Sequence, residues 1–288
     1  MSSVQKKQGE NPYLCVRPKT YHMTEQLEQL IAQYRALGID QQIDYDKFYL
    51  YSIITCSTAM EGSSITELEN QIMFDQGVSL KGKSLIEQNM NLDLKNAYDK
   101  AISLAKSHVP FSVKKLIDLS SLVMKNTGSD YHTVLGDFSS AKGELRLVNV
   151  TAGVGGRSYM SYTKVPQKLT EFCEKLNMAR KNVSGMTVVE LYELTFDAHY
   201  HLVTIHPWAD GNGRMARLVM NMLQFEFGLI PSKILTEDKE EYIKSLVETR
   251  EKDDLSVFRD FMMQAMIKNL LSDIRNYRQS VGEPEPEY

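Results

Sequence analysis

The sequence predicts an all-α fold, a helical bundle interrupted by one β-hairpin. Three observations lead there. Apolar residues recur every three or four positions over most of the chain, the spacing that lines one face of a helix. Period-two alternation around a glycine-rich turn is confined to 145–162. No internal repeat and no long linker divides the chain. At 288 residues, 42% hydrophobic and 24% charged, it has the make-up of a soluble globular protein with a substantial core.

Taken in order, residues 1–20 hold Gly, Asn and two prolines without periodicity and read as a flexible N-terminal arm. Leu27, Leu30, Ile31, Tyr34 and Leu37 set a helix over 23–37, with Gly38 as its C-terminal cap. A second helix over 45–60 carries Phe48, Tyr49, Ile53 and Ile54 and stops at Glu61-Gly62. Thr66-x-x-Glu69 has the form of a capping box opening the next helix. Stretches 82–106 and 112–125 are helical, broken at Pro110. Leu145, Leu147, Val148 and Val150 then suggest a strand, Gly153, Gly155 and Gly156 a turn, and Tyr159, Met160 and Tyr162 a returning strand. Helical spacing resumes over 165–178 and 187–204. The second of these is apolar nearly all round, as a central buried helix is. Another helix starts immediately after Gly213, Tyr242, Leu246 and Val247 mark one more, and 257–277 the last. The acidic, proline-rich tail 279–288 reads as disordered. The resulting division is arm 1–20, N-terminal helical segment 21–110, core 111–278 and tail 279–288.

Charge and cysteine usage narrow the function. A net charge of −4 gives no electrostatic reason to bind nucleic acid or an anionic membrane. Cys15, Cys56 and Cys173 are too few and too scattered for a disulfide framework or a metal cluster. No signal peptide and no run of some eighteen apolar residues is present, so a cytoplasmic setting is expected.

The chemistry concentrates in His206-Pro-Trp-Ala-Asp-Gly-Asn-Gly-Arg-Met-Ala-Arg217. Singly, these pieces are commonplace: Asp-Gly-Asn-Gly makes a turn, and two arginines three apart make a solvated helix face. Together they put a base, a hard-metal ligand and an anion cradle within one stretch. Gly211 and Gly213 flank Asn212, and a helix starts at once, so backbone N–H groups and the positive helix end can face an anion. Arg214, Arg217 and Asn221 share one face of that helix. Asp210 is suited to Mg²⁺ on a phosphate substrate.

This stretch resembles the Fic family motif, His-Pro-Phe-x-Asp/Glu-Gly-Asn-Gly-Arg-x-x-Arg, departing from it only at Trp208. The resemblance, strongest over 143–257, implies a helical bundle with the motif between two central helices and a hairpin flap beside it. It implies transfer of AMP from ATP to a Ser, Thr or Tyr hydroxyl of a protein, with the chain itself among the candidate targets. His206 would be the general base and Asp210 the Mg²⁺ ligand. Gly211, Asn212, Gly213 and Arg214 would hold the α- and β-phosphates, and Arg217 the γ-phosphate. Gly143-x-x-Arg146-x-x-x-Val150-x-x-Gly153 resembles the start of the flap, in which Val150, Thr151, Ala152 and Gly153 would grip the target by main-chain pairing. The proline pair that often follows the flap is replaced by Ser161-Tyr162. Tyr242 resembles the tyrosine that lines the adenine pocket. Ser57-Thr-Ala-Met-Glu61-Gly62 resembles the inhibitory motif of the class with an N-terminal inhibitory helix, with Glu61 expected to pair with Arg217.

Three other readings stand beside transfer of AMP. Glu61 could orient a water that removes AMP from a modified protein. A uridylyl, phosphocholine or phosphoryl group could be transferred, although phosphoryl transfer goes with Lys where this chain has Gly213. A bundle that only binds nucleotide or a partner protein would be favoured by loss of the base, but His206 is present.

Overall fold

A computed structural model describes residues 18–44, 47–152 and 156–282 of the chain. The expected arm (apart from 18–20), the turn glycines Gly153 and Gly155, and most of the tail lie outside these residues. The described helices, in chain order, are α1 (Pro18–Ala36), α2 (Ile39–Gln42), α3 (Phe48–Ala59), α4 (Glu67–Gln76), α5 (Leu85–Lys106), α6 (Val113–Val123), α7 (Val165–Lys181), α8 (Val188–Ile205), α9 (Asn212–Glu226), α10 (Lys239–Lys252) and α11 (Ser256–Val281). The last helix carries the chain helically to Val281, three residues beyond the expected end of the core at 278. None of the described helices is long and apolar enough to cross a membrane.

Local chemistry sets the ends. Thr66 and Glu69 form the expected capping box, and Ser84–Glu87 and Thr187–Glu190 do the same for α5 and α8. Gly38, at φ 68°, closes α1 in the left-handed conformation that costs a glycine least. α8 and α9 lie side by side, and α9 also packs along α5, while α1 and α11 cover α8 from outside. One hydrophobic core runs through all of them, from Met23 and Leu27 through Leu94, Phe196 and Leu218 to Ile274.

The most enclosed helix is α9, in which every residue from Arg214 to Gln224 is buried. Its polar face is buried because it is internally paired. Asn221 accepts from the Tyr98 hydroxyl at 2.7 Å and donates to Ser232 O at 2.8 Å. Gln224 donates to Thr195 and Ser232. Asn221 is therefore a structural strut and does not join the two arginines in an anion site.

The hairpin expectation needs correction. Among the described residues, the two-stranded sheet is β1 (Asp130–Thr133) against β2 (Gly136–Ser139), antiparallel, with Thr133 opposite Gly136. The apolar tip residues Val134 and Leu135 face solvent, which hid the turn from a polarity reading. The expected strands at 145–150 and 159–162 are a loop joined by a single bridge, Thr151–Ser158. Two of their carbonyls are held by a side chain, since the Arg146 guanidinium takes Val148 O and Met160 O, and the cross-limb bonds are those of Tyr159 N to Val150 O and Ala152 N to Arg157 O.

Candidate active site

His206 sits at the C-terminal cap of α8 with φ 52° and ψ 63°, a left-handed conformation unusual outside glycine. Its Nδ1 lies 3.2 Å from Val203 O, and because a carbonyl only accepts, Nδ1 carries the proton. The lone pair is then on Nε2. Tyr159 stacks on the imidazole, ring centroids 3.6 Å apart and 15° from parallel. Burial pushes the imidazole pKa down to about 4, with the Val203 carbonyl opposing and the Arg146 charge adding to the fall. His206 is thus a neutral base with one free nitrogen at neutral pH.

The loop after it is stapled by its own side chains. Asn212 Oδ1 accepts from Trp208 N at 3.1 Å, and its Nδ2 donates to Trp208 O at 2.9 Å. This side chain shapes the loop and is not directed at a phosphate. The Trp208 indole is fully buried, and its N–H donates to Gly143 O at 2.9 Å, so the polar atom that Phe would lack is satisfied. Gly211 caps α9 at φ 80°, where a Cβ would stand 2.6 Å from Met124 Sδ. Asp210, mostly exposed, accepts from Gly211 N with Oδ1, and its Oδ2 lies 3.7 Å from Arg214.

Arg214 is 3% exposed, yet its Nε and Nη1 have no hydrogen-bond partner among the described residues. Nη2 has Met124 Sδ at 3.1 Å and the Asp210 carboxylate at 3.7 Å. A buried cation left with unpaired donors is a costly arrangement that an anion would relieve.

Arg217 is buried and fully engaged. Its Nε donates to Ser57 Oγ at 2.8 Å, and one Nη donates to Ser57 O at 3.0 Å and to Glu61 Oε1 at 2.5 Å. Burial raises the Glu61 pKa, but the charge and hydrogen bond of Arg217 outweigh it and leave the carboxyl below its ordinary range. A Cβ on Gly213 would lie 3.0 Å from Glu61 Oε1 and 3.1 Å from Arg217, so a side chain here would press directly on that pair. Gly62, at φ 98°, ends the turn that presents Glu61. Thr58 anchors the same turn through Asn91, which in turn holds Ser63.

In the flap, Val150 O accepts from Tyr159 N at 3.0 Å and Ala152 N donates to Arg157 O at 3.2 Å, while Thr151 makes the bridge to Ser158. Gly153 falls outside the described residues.

Residues 110–224 match the model of the Fic/DOC family. The protein adenylyltransferase fic-1 of Caenorhabditis elegans is 28% identical over 204 residues, 70% of this chain and 36% of that protein. The protein adenylyltransferase Fic of Drosophila grimshawi is 28% identical over 219 residues, 74% of this chain and 41% of that one. The chain therefore spans well under half the length of these curated relatives. In fold it is similar to a Fic domain-containing signaling protein from Bacteroides thetaiotaomicron, with a TM-score of 0.72 at 21% identity over 91% of this chain and all of that one.

The Fic motif and the Ser57–Glu61 turn are brought together, although they are far apart in sequence. Tyr242 joins them differently from the expectation. Its ring is buried, its hydroxyl lies 3.0 Å from His199 Nε2, and the same hydroxyl faces Arg217. It reaches the Fic site through the arginine, as a fully packed core residue. Burial, with the Arg217 charge, lowers the His199 pKa to about 3, so this imidazole is neutral. Two neighbours carried no signal in the sequence: His199, and Lys239, whose Nζ donates to Met60 O at 2.7 Å and holds the Ser57–Glu61 turn from α10. Each acts across a long sequence separation, and no local motif marks it.

Proposed function

We propose that the chain is a protein adenylyltransferase that moves AMP from ATP to a Ser, Thr or Tyr hydroxyl of a protein, held inactive by Glu61. The observation that carries the reading is a neutral His206, with Nε2 free, beside a buried Arg214 with unpaired donors. The 28% identity to proteins named as adenylyltransferases supports the same reaction class.

In the reaction, Nε2 of His206 takes the proton of the target hydroxyl. The hydroxyl oxygen forms a bond to the α-phosphorus as the bond from that phosphorus to the bridging oxygen breaks, and pyrophosphate leaves. Backbone N–H groups at 212–213 and the guanidinium of Arg214 stabilise the charge that develops. Arg217, once free of Glu61, takes the γ-phosphate and aligns the chain of phosphates. Asp210 is the one carboxylate of the loop and fits a Mg²⁺ ion bound mainly through substrate phosphates, where the ion neutralises charge. The flap edge at 150–152 pairs with the target main chain. The free thiols of Cys56 and Cys173 fit a reducing cytoplasm.

Removal of AMP from a modified protein is the second reading. It is favoured by Glu61 being ionised and a third exposed, so that it could accept a proton from water. Incubation with ATP labelled at the α- or the γ-phosphate tests the first. Label entering protein only from the α-position supports AMP transfer, and label only from the γ-position overturns it.

A further inference from the structure

Arg146 is 1% exposed, and among the described residues no carboxylate pairs with it. Every donor it uses goes to a carbonyl. Nε donates to His206 O at 2.7 Å, Nη1 to Val148 O at 2.6 Å and Nη2 to Met160 O at 2.5 Å. Its own amide donates to Pro207 O at 3.1 Å. Burying a cation on neutral acceptors alone is unfavourable unless the surrounding structure fixes it from several sides. Here the acceptors come from three places: the outgoing limb of the flap, its returning limb and the catalytic histidine. The position is electrostatically apt, because the His206 carbonyl closes α8, and the C-terminal end of a helix favours a positive charge.

We propose that Arg146 is a positioning residue that locks the flap to the backbone of His206, so that the edge receiving the target and the base that deprotonates it keep a fixed register. This rests on the adenylyltransferase reading. A target strand laid on 150–152 brings its hydroxyl to Nε2 only if both limbs of the flap stay in place relative to the imidazole. Tyr159 tightens the same unit, since its amide is bonded to Val150 O and its ring lies on His206. The task suits arginine and not lysine, because a planar fork reaches three separated acceptors at once where an ammonium is a point charge.

The test uses the Glu61→Gly protein and the same protein with Arg146→Lys or Arg146→Gln. Arg146→Lys keeps the charge, so ATP affinity should stay within about two-fold, while the rate of auto-adenylylation falls about a hundred-fold, as expected when reacting groups are misplaced by an ångström. Hydrogen exchange at the amides of Ala152 and Tyr159 should quicken in parallel. A rate within two-fold of the parent, or a loss of ATP affinity equal to the loss of rate, would overturn the proposal. If neither variant folds, the Glu61→Gly protein still decides. The amides of Arg146, Ala152, Tyr159 and His206 should then open as one unit on denaturant titration, and independent opening of flap and His206 would refute the lock. A parent that transfers no AMP while the flap and His206 still exchange together would instead count against the adenylyltransferase reading alone.

Discussion

Replacing Glu61 with Gly should release the enzyme, and the geometry sets the size of the effect. Arg217 is 5% exposed at its side chain and meets Glu61 Oε1 at 2.5 Å. A hydrogen bond to a charged group contributes about 1.5–3 kcal/mol. The upper figure holds roughly 99% of molecules closed, since about 2.7 kcal/mol separates 99:1 from an even split, and the lower figure leaves several per cent open. Two features pull toward the lower end. A third of the Glu61 side chain is in solvent, which screens the pair, and the Ser57 contacts to Arg217 survive the substitution. Glu61→Gly should therefore raise the initial rate of auto-adenylylation roughly ten-fold to a hundred-fold. The assay is the rate of label incorporation from α-labelled ATP, with ATP affinity measured alongside. Unchanged rate and unchanged affinity would refute the competition of Glu61 and phosphate for Arg217. Loss of AMP removal from a modified protein in the variant would favour the hydrolytic reading instead.

Other outcomes follow from the same site. His206→Ala should cost roughly 10²–10⁴-fold in transfer with ATP affinity nearly unchanged, because the base acts on the hydroxyl. With the His206 pKa lowered to about 4, and Glu61 also ionised, transfer at saturating ATP should be flat above about pH 6. Tyr159→Ala, which uncovers the ring, should move the acid limb up toward about 6.5, seen equally in an NMR titration of the imidazole. The same depression makes acid destabilising: unfolded His206 gains its proton as pH falls through about 6.5 while the folded one waits until about 4. Asp210→Ala should lower the rate and blunt its dependence on added Mg²⁺, and an unchanged Mg²⁺ midpoint would assign Asp210 to the turn alone. Tyr242→Phe in the Glu61→Gly background should weaken ATP binding about three-fold to ten-fold, because Arg217 loses the hydroxyl that fixes the orientation of its guanidinium. Titration calorimetry checks it.

The parts of the site that were legible in the sequence are those whose chemistry is local. The 206–217 loop names its own chemistry because base, carboxylate, glycines and arginines are contiguous. The Thr66–Glu69 cap is a bond between near neighbours. Helices such as α7 and α8 follow from apolar spacing. The flap shows where that logic fails. Alternation over 145–150 has the look of a strand, but a strand is defined by where its carbonyls go, and here Arg146 takes that of Val148 and, on the returning limb, that of Met160. The true hairpin at 130–139 was concealed by an apolar turn facing solvent. The buried polar face of α9 was likewise unreadable, since Asn221 and Gln224 find partners only through Tyr98, Thr195 and Ser232. His199, Lys239 and Tyr159 share this property: each acts on a residue brought near by folding alone.

The central claim is that His206 delivers AMP to a hydroxyl once Arg217 is free. Intact-mass measurement of the Glu61→Gly protein and of the Glu61→Gly/His206→Ala protein, each after incubation with ATP and Mg²⁺, tests it most directly. The account predicts the mass of one or more AMP groups on the first and none on the second. AMP on both, or a gain of phosphate in place of AMP, would contradict it.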